Sequence, residues 1–118
     1  MKKSYFFTIQ GKAVSKQRPR RGRYGNFYTP SETQDYETFV HTYALKSGLK
    51  PFKKKDTIGI EIYFYGQYGR SDIDNLLKAT LDGLKFFFND NKVISLIAKK
   101  ILSKDYFTTV RIWVEKES

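Results

Sequence analysis

The chain has 118 residues, no cysteine, and 22 lysines and arginines against 12 aspartates and glutamates, which gives a formal net charge of +10. The absence of cysteine excludes disulfides, thiolate zinc sites and thiol catalysis. The length predicts one domain over residues 1–118, and the charge predicts an acidic partner. Nucleic acid is favoured over a membrane, because no apolar run approaches spanning length, and we expect a cytoplasmic location.

The first part of the chain predicts a strand, a basic arm and a helix. Residues 4–10, SYFFTIQ, are aromatic and β-branched, which is typical of a strand. Residues 11–30 are rich in Lys, Arg, Gly and Pro, so they predict an arm that is irregular through most of its length. Next, Ser31 is a candidate N-cap, apolar residues recur at helical spacing, and Gly48 ends the first predicted helix.

The second part of the chain predicts a strand, a helix and two further strands, which together indicate a two-layer fold. Residues 57–66, TIGIEIYFYG, alternate as in a second strand, and residues 74–87 have the apolar face of a second helix. The runs KVISLIAKKILS and YFTTVRIWVEK predict an antiparallel pair of strands with a turn near Lys104. The order β-α-β-α-β-β predicts an α+β sandwich, with both helices on one face of a mixed sheet.

Two aspartates, Asp72 and Asp74, lie where a strand exit becomes a helix start. Residues i and i+2 of an extended backbone face the same side, so both carboxylates can converge. Such a pair repels unless a cation or proton lies between the charges, and hard oxygen ligands suit Mg²⁺. The same acids can instead act as helix caps, since Asp is a good N-cap and acids are favoured in the first turn.

A lysine and a third acid follow this pair. Lys78 can reach a phosphate, or it can pair along the helix with Asp74 or Asp82. Asp90 either returns to the site or belongs to an ordinary turn. With the basic surround, these residues favour metal-dependent phosphodiester cleavage, in which the cations hold the backbone. The alternative is a basic module that binds branched DNA or RNA without cutting it, its acids serving as caps.

Three runs, DIDNLLKATLDGL, NDNKV and GKAVSKQRPR, together resemble the RusA-type Holliday junction resolvases over nearly the whole chain. These crossover junction endodeoxyribonucleases are often encoded by prophages. The resemblance implies a homodimeric, Mg²⁺-dependent enzyme, with Mn²⁺ as a substitute ion, that makes paired incisions in four-way DNA junctions during recombination and repair. It matches Asp72, Asp74 and Asp90 to the metal-binding catalytic acids and Lys78 to the catalytic lysine. Asn89 stands where the family often has a further acid.

The remaining predicted site residues support the acids or bind DNA. Asn75 and Asp82 match family positions, and we assign Asn75 a supporting or capping part and Asp82 the part of a helix-face partner for Lys78. His41, the only histidine, is expected to be structural. The predicted DNA-binding residues are basic and lie in the arm or just before the acids; they are Lys12, Lys16, Arg18, Arg20, Arg21, Arg23 and Arg70.

Overall fold

The computed structural model describes residues 4–16, 20–21, 27–28 and 31–116. In chain order its elements are β1 (Ser4–Gln10), β2 (Arg20–Arg21), β3 (Phe27–Tyr28), α1 (Ser31–Lys46), β4 (Thr57–Gly66), α2 (Ile73–Gly83), a 3₁₀ turn (Asp90–Lys92), β5 (Val93–Leu102) and β6 (Phe107–Lys116). Neither of the helices in the described ranges is long and apolar enough to cross a membrane.

The main sheet has four strands in the order β1-β6-β4-β5. Strand β6 is antiparallel to both of its neighbours, β1 and β4, whereas β4 and β5 run parallel. The predicted mixed sheet and the α+β class are therefore confirmed. In the basic arm, β2 and β3 form a separate antiparallel ribbon that pairs Arg20 with Tyr28, so the arm includes a short regular hairpin.

The core lies between one face of this sheet and the two helices, which pack against each other. Along β4, Ile58, Ile60, Ile62 and Phe64 are fully buried, while the intervening Glu61, Tyr63 and Tyr65 are only partly buried. Alternate positions of β6 are buried in the same way. Complete burial of one such apolar side chain contributes about 1.5–3 kcal/mol to folding. The period-two pattern thus holds the helices on a single face.

The predicted antiparallel pairing of the last two strands is wrong, because β4 lies between β5 and β6. Their connection crosses the end of β4, where the Ser103 amide donates a hydrogen bond of 3.2 Å to the Gly66 carbonyl. A Cβ on Gly66 would lie 2.3 Å from Cδ1 of Tyr106, so glycine leaves the space for this crossing. Burial also favours this order, since β6 carries buried side chains along its length and β5 leaves Ile94 and Leu102 exposed at the sheet edge.

The second helix ends earlier than predicted, at Gly83 instead of about Phe87. A Cβ on Gly83 would lie 2.7 Å from Cβ of Val40 and 2.9 Å from the Glu37 carbonyl oxygen, so glycine permits the close approach of α2 to α1. After this point the chain turns and buries Phe87 and Phe88. The His41 ring packs 5.4 Å from the ring of Phe87, consistent with the structural part expected of this histidine.

Candidate active site

The parallel pairing of β4 with β5 determines where the acids lie. Parallel neighbours require a crossover connection, and here α2 provides it. Strand β4 ends at Gly66, and α2 begins at Ile73 after a short loop. Asp72 directly precedes the helix and Asp74 lies in its first turn. The acids therefore lie beyond the carboxyl end of a central strand, the usual position for binding sites in parallel α/β units.

The loop before Asp72 is held by a side chain of β5 and by Tyr106, which directly precedes β6. Lys100 on β5 donates to the carbonyl oxygens of Gly69 at 3.2 Å and Ser71 at 2.8 Å. The Tyr106 hydroxyl donates to the Gln67 carbonyl at 3.0 Å. Lys100 was not identified from the sequence. Its only signal in the sequence is a lysine within a predicted strand, since the pairing of this position with Phe64 is known only from the structure.

The carboxylates of Asp72 and Asp74 are both exposed. The Asp72 carbonyl accepts from the amides of Asn75 and Leu76, each at 3.2 Å, but its side chain makes no capping hydrogen bond. Among the residues that the structure describes, neither carboxylate has a hydrogen-bond or ion-pair partner. Capping by the Asp72 side chain is thus not observed, and both carboxylates are open to an external cation.

Lys78 joins the helix to the turn that contains Asp90. Its Nζ lies 3.2 Å from Oδ1 of Asp82, one helical turn away, and 3.2 Å from Oδ2 of Asp90. Asp74 and Asp82 were the two predicted helix partners of Lys78, and the ion pair in the structure is with Asp82. Hydrogen bonds to Asp90 and then to Asp82 raise the pKa of Lys78 above its usual value. Lys78 is therefore a cation at neutral pH and is unsuited to accept a proton there.

Asp82 has a second lysine partner from the start of the basic arm. Its side chain is only 5% exposed, and its Oδ2 lies 3.0 Å from Nζ of Lys16. Burial acts to raise the pKa of Asp82, but hydrogen bonds from Lys16 and Lys78 outweigh it and leave the pKa below its usual value. Lys16 also lies 3.0 Å from Oε2 of Glu37 on α1. Glu37 was not identified from sequence, because only the packing of α1 on α2 brings it here.

The lysine pair and the three acids form one chain of alternating charge, Glu37–Lys16–Asp82–Lys78–Asp90, which we call the charge network. Burial acts to lower the pKa of Lys16, but hydrogen bonds to Asp82 and Glu37 reverse this and raise it. Lys16 and Lys78 thus stay protonated, and Asp82 stays ionised, near neutral pH.

The structure describes only some of the other residues predicted to bind DNA. Lys12 Nζ lies 5.4 Å from the ring centroid of Tyr106, and Arg70 is exposed in the loop before α2. Arg20 and Arg21 form β2, and their side chains are not described. Arg18 and Arg23 lie outside the described residues. Asn75 is exposed, and its carbonyl accepts from the Lys16 amide at 2.8 Å.

The carboxylates of Asp72 and Asp74 are of the ligand type that binds a divalent cation such as Mg²⁺. Mg²⁺ is commonly held by one or two carboxylates together with substrate phosphates, and Asp72 and Asp74 supply two such groups. Within the part of the chain that the structure describes, no three acids or histidines are grouped closely enough to hold a metal ion by themselves. The third predicted ligand, Asp90, is paired with Lys78 instead. The fit therefore rests on two carboxylates and leaves room for phosphate oxygens.

The family model for the endodeoxyribonuclease RusA matches residues 10–115. The chain belongs to the RusA family. The match runs from the last residue of β1 almost to the end of β6 and includes every acid and lysine of the site. A comparison with curated proteins finds no match. The RusA-family protein is thus an enzyme, an endodeoxyribonuclease of the Holliday junction resolvase type, and the resemblance seen in its sequence is confirmed. Enzymes of the RusA family bind branched DNA and depend in general on divalent metal ions.

The lowered pKa of Asp82 predicts an acid-dependent loss of stability. Because the folded-state pKa lies below the usual 3.8, ionised Asp82 stabilises the fold above that pH, and the contribution is lost as the pH falls through the folded-state value. We expect the difference in free energy of unfolding between wild type and Asp82→Asn to decrease as the pH falls below 3.8. Urea denaturation between about pH 2 and pH 6 measures it.

Asp35→Asn is the control for this measurement, since Asp35 is an exposed acid of α1 outside the charge network. Its difference from wild type should vary little with pH. A constant difference for Asp82→Asn over the same range would contradict the assigned ion pairs.

Proposed function

We propose that this RusA-family enzyme resolves four-way DNA junctions by paired incisions that depend on Mg²⁺, with Mn²⁺ as a substitute. Asp72, Asp74 and Asp90 are the proposed metal-binding catalytic acids, and Lys78 is the proposed catalytic lysine. The observation that carries the proposal is the 3.2 Å contact between Lys78 and Asp90. Lys78 belongs to the helix that starts with Asp72 and Asp74, whose carboxylates have no partner among the described residues.

The proposed parts follow from the charge and exposure of each side chain. Asp72 and Asp74 are exposed carboxylates that can hold the ion, which when bound supplies Lewis-acid stabilisation of the reacting phosphate. Lys78 is 53% exposed and protonated, so its ammonium can approach the negative charge that develops on the phosphate oxygens. Asp90 orients Lys78 through the 3.2 Å contact and would be a further carboxylate ligand for the ion.

Substrate binding is assigned to the basic residues outside the charge network. The arm residues Arg18, Arg20, Arg21 and Arg23, with Lys12 and Arg70, supply cations for phosphates. Because a junction has two-fold symmetry, two equivalent incisions require two equivalent sites, and a homodimer provides them. The substrate, DNA formed in recombination and repair, is consistent with action in the cytoplasm.

Removal of either open carboxylate should abolish cutting without loss of binding. Asp72→Asn and Asp74→Asn keep the size of the side chain and remove a metal ligand. We expect each to lower the single-turnover rate of junction cleavage by at least about 100-fold. Junction affinity in metal-free buffer should stay equal or increase, because one charge that repels phosphate has been removed. Cleavage and gel-shift assays with synthetic four-way junctions measure both quantities.

Asp35→Asn again serves as the matched control, since it removes one exposed carboxylate away from the site. It should cut at the wild-type rate. If Asp72→Asn and Asp74→Asn both keep Mg²⁺-dependent cleavage, the assigned site is wrong. If the wild type binds junctions and never cuts them with Mg²⁺, Mn²⁺ or EDTA, the non-catalytic binding module replaces the proposal.

The arm should contribute affinity more than chemistry. Changing Arg18, Arg20 and Arg21 together to glutamine should weaken junction binding and flatten its salt dependence, by about 0.9 in the log–log slope for each phosphate that these arginines no longer neutralise. The rate at saturating protein should change little. Binding titrations at several salt concentrations give the slope, and an unchanged slope would show that these arginines do not touch the DNA backbone.

Two chains should act together on one junction. We expect sedimentation equilibrium at micromolar protein to give the mass of a dimer, both free and on a four-way junction. Only monomer in both conditions would contradict the paired-site proposal.

A further inference from the structure

The basic arm begins at a segment that is fastened to the body of the protein at two points. The Ala13 amide donates to the Tyr68 hydroxyl at 2.8 Å in the buried interior. Three residues later, the Lys16 amide donates to the Asn75 carbonyl in the first turn of α2, also at 2.8 Å. The backbone of Lys16 is therefore fixed against the helix that presents Asp74 and Lys78.

The side chain of Lys16 points into the charge network, where carboxylates already surround its ammonium. Its Nζ lies 3.0 Å from Oδ2 of Asp82 and 3.0 Å from Oε2 of Glu37, and the side chain is only 25% exposed. Because two carboxylates already balance this ammonium, it attracts a DNA phosphate less strongly than an unpaired lysine does. The surroundings of Lys16 thus differ from those of an exposed cation that binds a backbone phosphate.

Asp82 divides its two oxygens between two lysines. Oδ2 pairs with Lys16, and Oδ1 pairs with Lys78. A buried carboxylate oxygen without its partner is costly, so in the absence of Lys16 the nearest cation would be drawn to both oxygens. That cation is Lys78, which is half exposed and has a flexible stem. It would then leave Asp90 and the position from which it can approach a phosphate.

We propose that Lys16 is a positioning residue for Lys78, which it holds between Asp82 and Asp90 by occupying the second oxygen of Asp82. This inference rests on the proposed function, because it concerns the placement of the proposed catalytic lysine. It assigns Lys16 a different part from the DNA contact expected from sequence. It also places the positioning residue in the arm itself, where the first arginine proposed to bind DNA, Arg18, lies two residues after Lys16.

The first test separates cutting from binding. Lys16→Met should lower the single-turnover cleavage rate at saturating protein about 10-fold or more, as removal of an orienting partner commonly does. Junction affinity in metal-free buffer should fall no further than in Lys99→Met, which removes an exposed lysine on β5 and should cut at the wild-type rate. Lys16→Arg retains a cation between Asp82 and Glu37 and should recover part of the rate.

The second test shows whether Lys16 acts through Lys78. If it does, Lys16→Met should cause no further loss of rate in a Lys78→Met background. If Lys16 instead contacts DNA or only stabilises the fold, the two losses should multiply, and the inference is wrong. Urea denaturation of each variant confirms that the rates are measured on folded protein.

Asp72→Asn in the same assay distinguishes the two proposals. Retained cutting by both Asp72→Asn and Asp74→Asn would overturn the site assigned under the proposed function. If Asp72→Asn is inactive while Lys16→Met cuts at the wild-type saturated rate, only the positioning part of Lys16 is overturned.

Discussion

Parallel pairing of β5 with β4 requires the chain to return along the sheet between these two strands, and α2 makes that return. The start of α2 is consequently fixed at the carboxyl end of β4, with Asp72 and Asp74 at its first residues. The end of the return brings Asp90 to the start of β5, within reach of Lys78. One topological requirement therefore places two exposed acids at the start of α2 and pairs Lys78 of the same helix with Asp90, 12 residues further along the chain.

Within that frame, Asp82 determines how the lysines are arranged. A carboxylate that is 5% exposed needs compensation for its lost hydration, and two lysines from different segments supply it. The same ion pairs tie the arm to α2 and place Lys78 near Asp90. Compensation of one buried acid thus fixes the start of the arm and the position of the proposed catalytic lysine. By contrast, Asp72 and Asp74 carry no such partners among the described residues, which suits acids that must receive a cation from solution.

Local features could be predicted well from the sequence because they depend on neighbouring residues. The start of the second helix was predicted at Asp74 and lies at Ile73. The contact of Lys78 with Asp82 follows from positions one helical turn apart. Contacts between distant segments were missed. No pattern in the sequence connects Lys16 to Asp82, Glu37 to Lys16 or Lys100 to Ser71, since each pair meets only through packing. The last two strands were predicted as a pair for the same reason. A hairpin depends only on residues close in sequence, whereas the observed crossing over Gly66 depends on packing between distant segments.

The basic residues of the chain do not all have the same role. Lys16 is balanced by Glu37 and Asp82, and Lys100 is bound to carbonyls of the loop before Asp72. These lysines act on the protein itself, and a sequence count of basic residues overstates the number available to phosphates. The same holds for Lys92, which donates to the carbonyls of Lys53, Lys54 and Asp56. The composition predicted nucleic acid as the partner. Which lysines stabilise the site and which are free to bind DNA follows only from the carboxylates and carbonyls that each ammonium contacts.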